Sequence, residues 1–514
     1  MSLHVIDYII IIASLIAPIY ISIRFSRQQT NTNNYFKGSG NIPAWAVGMS
    51  ILATLISSIT FLAYPGSGYS SNWILLVQGL MVPITLIFFI RFVVPLYRKV
   101  IGISAYEYFE KRFGFGARLY TSLAFFLAHF SKMGTVFYLI ALAFSKMVGI
   151  GTVEMIWVMG ALIILITLLG GIEAVIWMDV VQGFVLIAGG IITLGIIIFS
   201  TTGGLPAILS TASEAGRTGF GPFTFDWTSL TFFVMAINGV FYAIQKYGTD
   251  QTIVQRYLTA KSDKDAIKAS LIGVLMSVPV WALFMFIGTA LFAYYQINGA
   301  MLPEGIKADA VFPHFIMTQL PVGVIGLVLA GLLAAAISSL DSDLNCLSAI
   351  FMEDYFLRIN KNADPDRQMF LSRVIIVIAG LASILIALYY VNVGGKGVLG
   401  IVFKLYAIFS GGIAGLFLLG IFVPKANKRG AYIGILTSVL FTAYAVVTST
   451  ELSSGKLILD LGDLNFTHHK YMLGVYSHVI LFVVGYLASL LFKPTDSEEG
   501  LTYREWKNEK KQKV

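Results

Sequence analysis

LAGLLAAAISSLDSDLNCLSAI, residues 329–350, is apolar and long enough to cross a membrane, yet it is rich in polar side chains. Polar groups inside hydrocarbon are costly, so by default they mark an ion or substrate path. With about 100° of rotation per residue, one face of this helix carries Ala335, Ser338, Ser339 and Ser342. Neutral oxygens of this kind can replace the water that a hard cation such as sodium sheds. The stretch therefore predicts a membrane-spanning helix that holds a cation.

The composition is that of an integral membrane protein. Of the 514 residues, 57% are hydrophobic and 12% are charged, and the mean hydropathy is +0.81. A soluble domain usually carries about 25% charged residues. Because Cys346 is the single cysteine, the chain cannot form an internal disulfide.

Apolar runs near the roughly 20 residues that cross a bilayer recur along the chain and predict about thirteen spans. We place these spans at 5–25, 42–65, 73–97, 118–148, 152–170, 176–200, 228–249, 267–295, 313–350, 371–391, 397–423, 430–448 and 472–492. The run at 313–350 is predicted to contain a short helix, a break at Pro321 and then the main span.

The distribution of lysine and arginine predicts the orientation, because cytoplasmic loops are enriched in both. If the N-terminus lies outside, the inner loops and the C-terminal tail hold 26 of the 35 basic residues. The sequence therefore predicts an extracellular N-terminus and a cytoplasmic C-terminus in the plasma membrane, surrounded by lipid. This asymmetry also accounts for the net charge of +8, so the charge does not indicate a nucleic-acid partner.

Several charged or titratable residues lie within or beside these spans. Lys132 falls in the middle of the fourth span and needs a partner there, whereas His129 is expected to be a hydrogen-bonded core histidine. Asp250 and Arg256 follow the seventh span. We expect them to be solvated loop charges, with a gating ion pair between them as the alternative.

The second and seventh spans carry residues that interrupt helices. In the second span, residues 54–60 are rich in serine and threonine, which compete for backbone hydrogen bonds. An interruption there would expose the carbonyls of Ala53 and Ile56. The seventh span contains Asn238, Gly239, Gln245, Gly248 and Thr249. Two interrupted helices five spans apart are typical of an inverted-repeat transporter whose ion site lies at the breaks.

Four motifs carry a resemblance to a known family over roughly residues 5–495. They are SILATLISSITFLAYPGSGYSSNW (50–73), GGIEAVIWMDVVQG (170–183), TDQTIVQRYLTAKS (249–262) and AAAISSLDSDLN (334–345). With them the chain resembles the sodium/solute symporter family. Through ISAYEYFEKRFG (103–114) and GLFLLGIFVPKAN (415–427) it is most similar to the sialic acid transporters of that family.

The resemblance implies an all-α, LeuT-type fold with a five-plus-five inverted repeat and sodium-driven uptake by alternating access. It divides the chain into a first extra helix with its loop (1–41), repeat one (42–200), repeat two (228–423), two C-terminal helices (430–492) and a basic cytoplasmic tail (493–514).

The resemblance also implies two sodium sites. The first maps onto the carbonyls of Ala53, Ile56 and Ala335 and the hydroxyls of Ser338 and Ser339, in agreement with the polar face of residues 329–350. The second maps onto Asp179, Ser338, Asp341 and Ser342. Asp341 stands where the sialic acid branch has a serine, so this extra carboxylate could tighten cation binding or carry a proton.

The substrate site that the resemblance implies departs from the family pattern. Ser57 and Thr60 match residues that hold the substrate, and Lys132 replaces an arginine that pairs with its carboxylate. Lysine supplies the positive charge but not the bidentate fork. The other candidates for this pocket are Leu55, Leu75, Gln78, Gln245 and Thr249. The predicted substrate is an anionic sugar, with sialic acid (N-acetylneuraminate) as the first choice.

Three alternatives remain open at this point. The same family could carry a neutral sugar, an amino acid or a monocarboxylate. Asp179 or Asp341 could couple transport to protons instead of sodium. The chain could instead be a channel or a membrane sensor. An enzyme is not expected, because the sequence has no Walker motif, no zinc-ligand spacing and no evident nucleophile–base arrangement.

Overall fold

The chain folds as an assembly of α-helices, as predicted. The computed structural model describes residues 3–26, 31–299, 301–392, 411–451, 455–493 and 500–512. Within these ranges, strand-type pairing is limited to two isolated bridges, Ile42 with Ala260 and Glu451 with Leu457. Nine of the described helices are long and apolar enough to cross a membrane, or ten if one bent pair of helices counts as a single span.

The helices are numbered in chain order through the described residues. Up to residue 214 they are α1 (Val5–Ser26), α2 (Thr32–Lys37), α3 (Ala44–Leu55), α4 (Ser58–Ser70), α5 (Ile74–Val100), α6 (Glu107–Phe113), α7 (Phe115–Val148), α8 (Thr152–Ser200) and α9 (Gly204–Glu214). They continue as α10 (Phe232–Gly248), α11 (Gln251–Leu258), α12 (Asp263–Asn298), α13 (Ala308–Gln319), α14 (Val324–Ile350), α15 (Leu357–Ile359), α16 (Pro365–Asn392), α17 (Ile413–Phe422), α18 (Lys428–Ser449), α19 (Lys470–Leu490) and α20 (Tyr503–Gln512). A π-helical turn, Phe351–Phe356, joins α14 to α15.

Most predicted spans coincide with these helices to within a few residues. The predicted pair 152–170 and 176–200 forms α8, which is kinked at Gly171, where φ is 60° and ψ is −174°. This backbone conformation suits glycine because glycine has no Cβ. The break predicted at Pro321 is confirmed, since it separates α13 from α14. Residues 397–410 of the predicted span 397–423 lie outside the described residues, and the total of thirteen spans stays a prediction.

The interruption predicted in the second span is confirmed, whereas the seventh span is a continuous helix through Asn238 and Gly239 and breaks only at Thr249, the last of its candidate residues. Helices α3 and α4 are bent by 60° at a break formed by Ile56 and Ser57. At this break Ile56 is extended, with φ −95° and ψ 108°. Helices α10 and α11 are separated by Thr249 and Asp250, and the Asp250 carboxylate accepts a 2.9 Å hydrogen bond from the backbone N–H of Thr252. Each break therefore interrupts the regular hydrogen-bonding pattern of its helix.

Helix α14 forms the centre of the bundle. Every residue from Val328 to Ile350 is buried, so its polar side chains are enclosed by protein. The helices packed against it include α1, α3, α7, α8 and α16. Helix α1 lies at the periphery and exposes Ile9, Ile12 and Ile16, as expected of a surface that faces lipid.

The N-terminus of α14 is capped by a carboxylate from another helix. Asp7 of α1 is fully buried, and its Oδ1 accepts hydrogen bonds from the backbone N–H groups of Gly323 and Gly326, both at 2.8 Å. The first N–H groups of a helix have no partner within the helix, and the helix dipole favours a negative charge there. Asp7 therefore anchors the central helix to the peripheral helix α1.

We expect Asp7→Ala to lower the free energy of unfolding by about 1–2 kcal/mol, because it leaves the N–H groups of Gly323 and Gly326 without their acceptor. Thermal unfolding of the purified protein in detergent measures this change. Asp366 is a matched control, since it lies in the first turn of α16 but is exposed. Asp366→Ala should change stability by less than about 0.5 kcal/mol. Equal effects of the two substitutions would contradict the proposed role of the cap.

Candidate functional site

The residues of the first predicted sodium site come together between α3, α8 and α14. Ser338 Oγ lies 3.2 Å from the carbonyl oxygen of Ala53 and 3.3 Å from that of Ala335. Ala53, Ile56, Ala335 and Ser338 line one small cavity of about 10 Å³. This volume is close to the space that a single water-sized particle needs. The break at Ile56 thus places oxygen donors of α3 opposite those of α14.

Ser339, the fifth predicted member of this site, is fully buried, and its hydroxyl has no hydrogen-bond partner in the structure. A buried hydroxyl without a partner is unfavourable, so an oxygen in this condition is available to a ligand. The donor set is neutral and consists of carbonyl and hydroxyl oxygens, which suits a hard monovalent cation. The residues present therefore fit sodium.

The second predicted sodium site contains a residue that the sequence did not place there. Arg256 is fully buried, and its guanidinium donates to Asp179 Oδ2 at 2.9 Å, to Ser342 Oγ at 2.5 Å and to Ser50 Oγ at 2.7 Å. Ser50 in turn donates to Asp179 Oδ2 at 2.5 Å. The expectation that Arg256 is a solvated loop charge, or pairs with Asp250, is wrong. Burial of α11 carries this side chain inward, where Asp179 is the available counter-charge.

The charges around Arg256 do not balance. Asp179 and Asp341 are both fully buried, and Arg256 links them through Ser342, which accepts from the guanidinium and lies 3.3 Å from Asp341 Oδ1. Asp179 Oδ1 and Asp341 Oδ2 have no hydrogen-bond partner. Two ionised carboxylates and one guanidinium leave one uncompensated negative charge in a buried region, where such a charge is strongly disfavoured. One further monovalent cation, or one proton, would neutralise it.

A larger cavity of about 370 Å³ begins on the other side of the α3–α4 break. Its lining includes six of the eight predicted substrate residues, namely Leu55, Ser57, Thr60, Gln78, Lys132 and Gln245. Thr249 lines a separate cavity of about 30 Å³ that shares Gln245 with the larger one. Leu75 is not part of the lining. It lies one turn before Gln78 on α5 and packs instead against an apolar cluster that contains Ile74, Val77 and Met235.

Five titratable side chains form a continuous network of contacts beside this cavity. Lys132 Nζ lies 3.0 Å from Asp343 Oδ2, and His129 Nδ1 lies 2.8 Å from Asp343 Oδ1. The other ring nitrogen of His129 is 3.5 Å from Asp250 Oδ2, which also accepts from Lys246 Nζ at 2.6 Å. These linked side chains connect α7 and α14 to α10 and to the break between α10 and α11. His129 is hydrogen-bonded in the core, as predicted.

Sequence reasoning missed part of the cavity lining. The structure adds a second ammonium group, Lys246, and the aromatic side chains of Tyr64, Tyr242 and Trp281. Lys246 precedes Asp250 by four residues, so the sequence signal was a basic and an acidic residue close to the candidate break residues Gly248 and Thr249. The aromatic residues gave no such signal, because aromatic side chains occur throughout this sequence.

Comparisons with known proteins identify the family. The family model described as "Sodium:solute symporter family" matches residues 35–438. The chain is 35% identical to the sodium/sialic acid symporter SiaT of Proteus mirabilis, with 95% of this chain and 96% of the relative covered. It is 34% identical to the sodium/sialic acid symporter NanT of Aliivibrio fischeri, with 96% and 94% covered. The sodium/glucose cotransporter of Vibrio parahaemolyticus is 31% identical, with 81% and 80% covered.

Solved structures give a matching result. A substrate-bound, outward-open Na⁺-coupled sialic acid symporter superposes with a TM-score of 0.87 at 32% identity, covering 96% of this chain and 100% of the other. The transporter Mhp1 in a closed conformation gives a TM-score of 0.53 at 16% identity, with 91% and 96% covered, which is a likeness of fold alone.

Proposed function

The chain belongs to the sodium:solute symporter family, and we propose that it imports an acidic sugar, N-acetylneuraminate in the first instance, together with sodium. It is a multi-pass membrane protein of the LeuT type, and the coupling ion of this family is sodium. The observation that carries the proposal is the α3–α4 break, because its two adjacent residues line different cavities. Ile56 lines the sodium cavity, and Ser57 lines the larger one.

This arrangement gives the coupling a physical basis. A sodium ion held by the carbonyls of Ala53 and Ile56 would fix the backbone of the break and thereby the position of Ser57 in the larger cavity. A ligand shifts a conformational equilibrium only by its different affinities for the two states. If sodium favours the state in which Ser57 and Thr60 are in place, substrate must tighten sodium binding by the same factor.

The larger cavity suits an anionic sugar. Its volume of about 370 Å³ lies within the range of small-molecule sites. Lys132 and Lys246 supply ammonium groups, each of which also pairs with an aspartate, Asp343 or Asp250. Ser57, Thr60 and Gln78 supply hydrogen-bonding groups for hydroxyls. The Lys132 side chain is 25% exposed, so a substrate carboxylate can reach its ammonium group while the buried carboxylate of Asp343 remains paired with that group.

We expect Lys132→Ala to weaken uptake of N-acetylneuraminate by about 10- to 100-fold, because a charge-assisted hydrogen bond is lost. Uptake of labelled substrate into cells or vesicles measures this effect. Lys268→Ala is the control, since Lys268 is an exposed lysine at the start of α12, and uptake should not change.

Lys132→Ala also leaves Asp343 short of a partner, so a second variant separates binding from folding. Lys132→Gln combined with Asp343→Asn removes one charge of each sign and should show the same loss of acidic-sugar uptake. If either variant transports the acid as well as the unmodified protein does, the assignment of Lys132 is wrong. If the unmodified protein prefers a neutral sugar, an amino acid or a monocarboxylate, the proposed substrate is wrong.

A second cation is part of the proposal. We assign it to Asp179, Ser338, Asp341 and Ser342. The two aspartates carry the uncompensated negative charge, and their unpartnered oxygens, Asp179 Oδ1 and Asp341 Oδ2, are available to sodium. The same observation supports one alternative, in which Asp341 carries a proton in place of the second sodium. A dependence of uptake on the square of the sodium concentration would support two sodium ions, and a linear dependence would support one.

The orientation and division of the chain remain proposals. We infer an extracellular N-terminus and a cytoplasmic C-terminus in the plasma membrane, with lipid as the surrounding partner and neither nucleic-acid binding nor enzymatic activity. The inverted repeats are proposed at 42–200 and 228–423, preceded by 1–41 and followed by 430–492 and the tail 493–514. The ring of Tyr503 in this tail lies 5.2 Å from that of Phe92, so part of the tail rests on the helical bundle.

The proposed function is tested by a thermal-shift screen of the purified protein against acidic and neutral sugars, with and without sodium. A ligand that binds only the folded state raises the melting temperature. We expect N-acetylneuraminate to stabilise the protein only when sodium is present. Stabilisation by a neutral sugar, with none by N-acetylneuraminate, would overturn the proposal.

A further inference from the structure

Gln182 of α8 is a buried side chain without hydrogen-bond partners, and neither of the two sodium sites described above includes it. The side chain is 4% exposed, and neither its amide oxygen nor its amide nitrogen has a hydrogen-bond partner in the structure. Buried polar groups are almost always hydrogen-bonded, and leaving one unpaired is costly. A primary amide with both ends unpaired therefore needs a partner that the protein itself does not supply.

The position of Gln182 indicates what that partner is. Gln182 lines the same cavity of about 10 Å³ as Ala53, Ile56, Ala335 and Ser338. These four residues supply four of the five oxygens that we assign to the first sodium site, from the broken helix α3 and from α14. Gln182 faces them from α8, which is otherwise represented in the cavity by apolar side chains and by Gly183.

We propose that the amide oxygen of Gln182 is an additional ligand of the sodium ion at this site. The proposal rests on the proposed function, because it assumes that the cavity binds sodium. An amide carbonyl is a neutral, hard oxygen donor and is chemically equivalent to the backbone carbonyls of Ala53 and Ile56. Sodium would thus connect three helices, α3, α8 and α14, instead of two.

This connection has a consequence for α8. Asp179 lies one helical turn before Gln182 on the same face and pairs with Arg256 of α11. The two cation sites would therefore share one surface of α8, one through a carboxylate and the other through an amide. Loss of sodium from the first site would remove this connection between α8 and the broken helix α3 and leave the Ser50–Asp179 hydrogen bond as the direct polar contact described between them.

The competing explanation is a buried water molecule. A cavity of about 10 Å³ is close to the lower limit for one water, and a water could pair with the amide without any sodium. The two explanations differ in what the amide does for sodium affinity, since only a ligand changes the sodium concentration at which the protein is stabilised.

The test is a sodium titration of thermal stability in detergent, with choline replacing sodium at constant ionic strength. Gln182→Met keeps the side-chain length and removes the oxygen. We expect the sodium concentration for half-maximal stabilisation to rise about tenfold. The melting temperature in choline should stay equal or rise, because the substitution also removes an unpaired buried amide. Gln182→Glu keeps an oxygen and should retain or strengthen the sodium response.

The matched control is Tyr295→Phe. The Tyr295 hydroxyl is also unpaired, but it lies on α12 and is not part of the sodium cavity. This substitution should leave the sodium response unchanged. If Gln182→Met is too unstable to measure, Gln182→Asn withdraws the oxygen by about one carbon–carbon bond and is expected to show the same loss.

The outcomes separate this inference from the proposed function. An unchanged sodium response in folded Gln182→Met would overturn the role of Gln182 and leave a water in its place. The proposed function would still stand if alanine at Ser338 and Ser339 removed the response in the same assay. If that serine variant also keeps its sodium response, both the inference and the proposed sodium site fail.

Discussion

Replacement of Ser338 and Ser339 together by alanine should remove the sodium dependence of transport. Both hydroxyls are buried on α14, one beside the carbonyls of Ala53 and Ala335 and the other without a partner. Each lost interaction with a cation is worth about 1.5–3 kcal/mol, so two of them correspond to a roughly 100-fold or larger loss of sodium affinity. Sodium titrations of substrate uptake and of thermal stability measure this loss independently.

The control for this variant is another buried serine of the same helix. Ser348 donates to the backbone carbonyl of Ser372 at 2.8 Å and lies almost three turns from Ser338. Ser348→Ala removes a hydroxyl of equal size from α14 and should leave the sodium response intact. If Ser348→Ala lost sodium dependence to the same degree, the effect of the double variant would reflect general damage to α14 and not the loss of a site.

Arg256→Met should produce the largest loss of stability. It leaves Asp179 buried with Ser50 as its remaining hydrogen-bond donor. Removing one partner of a buried ion pair costs about 3–5 kcal/mol, because the other charge stays behind without compensation. Thermal unfolding in choline measures the change. Arg98→Met is the control, because Arg98 is partly exposed and pairs with Asp263 near the surface, where such a pair is worth about 1 kcal/mol or less. This variant also loses hydrogen bonds to the carbonyls of Tyr257 and Leu258 but leaves no buried charge unpaired, so its loss should be the smaller one.

Two further measurements identify the cause of this loss. Arg256→Met combined with Asp179→Asn should recover part of the stability, since no unpaired charge then remains. Sodium should stabilise Arg256→Met more than it stabilises the unmodified protein, because a cation can take the place of the guanidinium beside Asp179. Equal stabilisation of both proteins by sodium would contradict the proposed second cation site, and a small effect of Arg256→Met would contradict the importance of the pair.

The helices and their breaks could be predicted because their causes are local. The serine- and threonine-rich residues 54–60 disfavour a continuous helix, and the break occurs within them, at Ile56 and Ser57. The helix break at Thr249 and the break at Pro321 also have local causes. Each of these features depends on neighbouring residues that a sequence displays directly.

The pairing of charges could not be predicted, because it depends on helices that are distant in sequence. Arg256 and Asp179 are 77 residues apart, and Lys132 and Asp343 are 211 apart. Charge patterns alone made Asp250 an equally reasonable partner for Arg256. The unpaired amide of Gln182 is hidden in the same way, because the sequence displays a glutamine but not the absence of its partners.

The measurement that tests the central claim most directly is accumulation of labelled N-acetylneuraminate by proteoliposomes that contain the purified protein. With an inward sodium gradient, we predict a transient internal concentration above the external one, and a sodium ionophore should abolish it. A proton gradient in choline should not substitute for the sodium gradient. Accumulation that is as strong in choline as in sodium, or equilibration that never exceeds the external concentration, would contradict sodium-coupled symport.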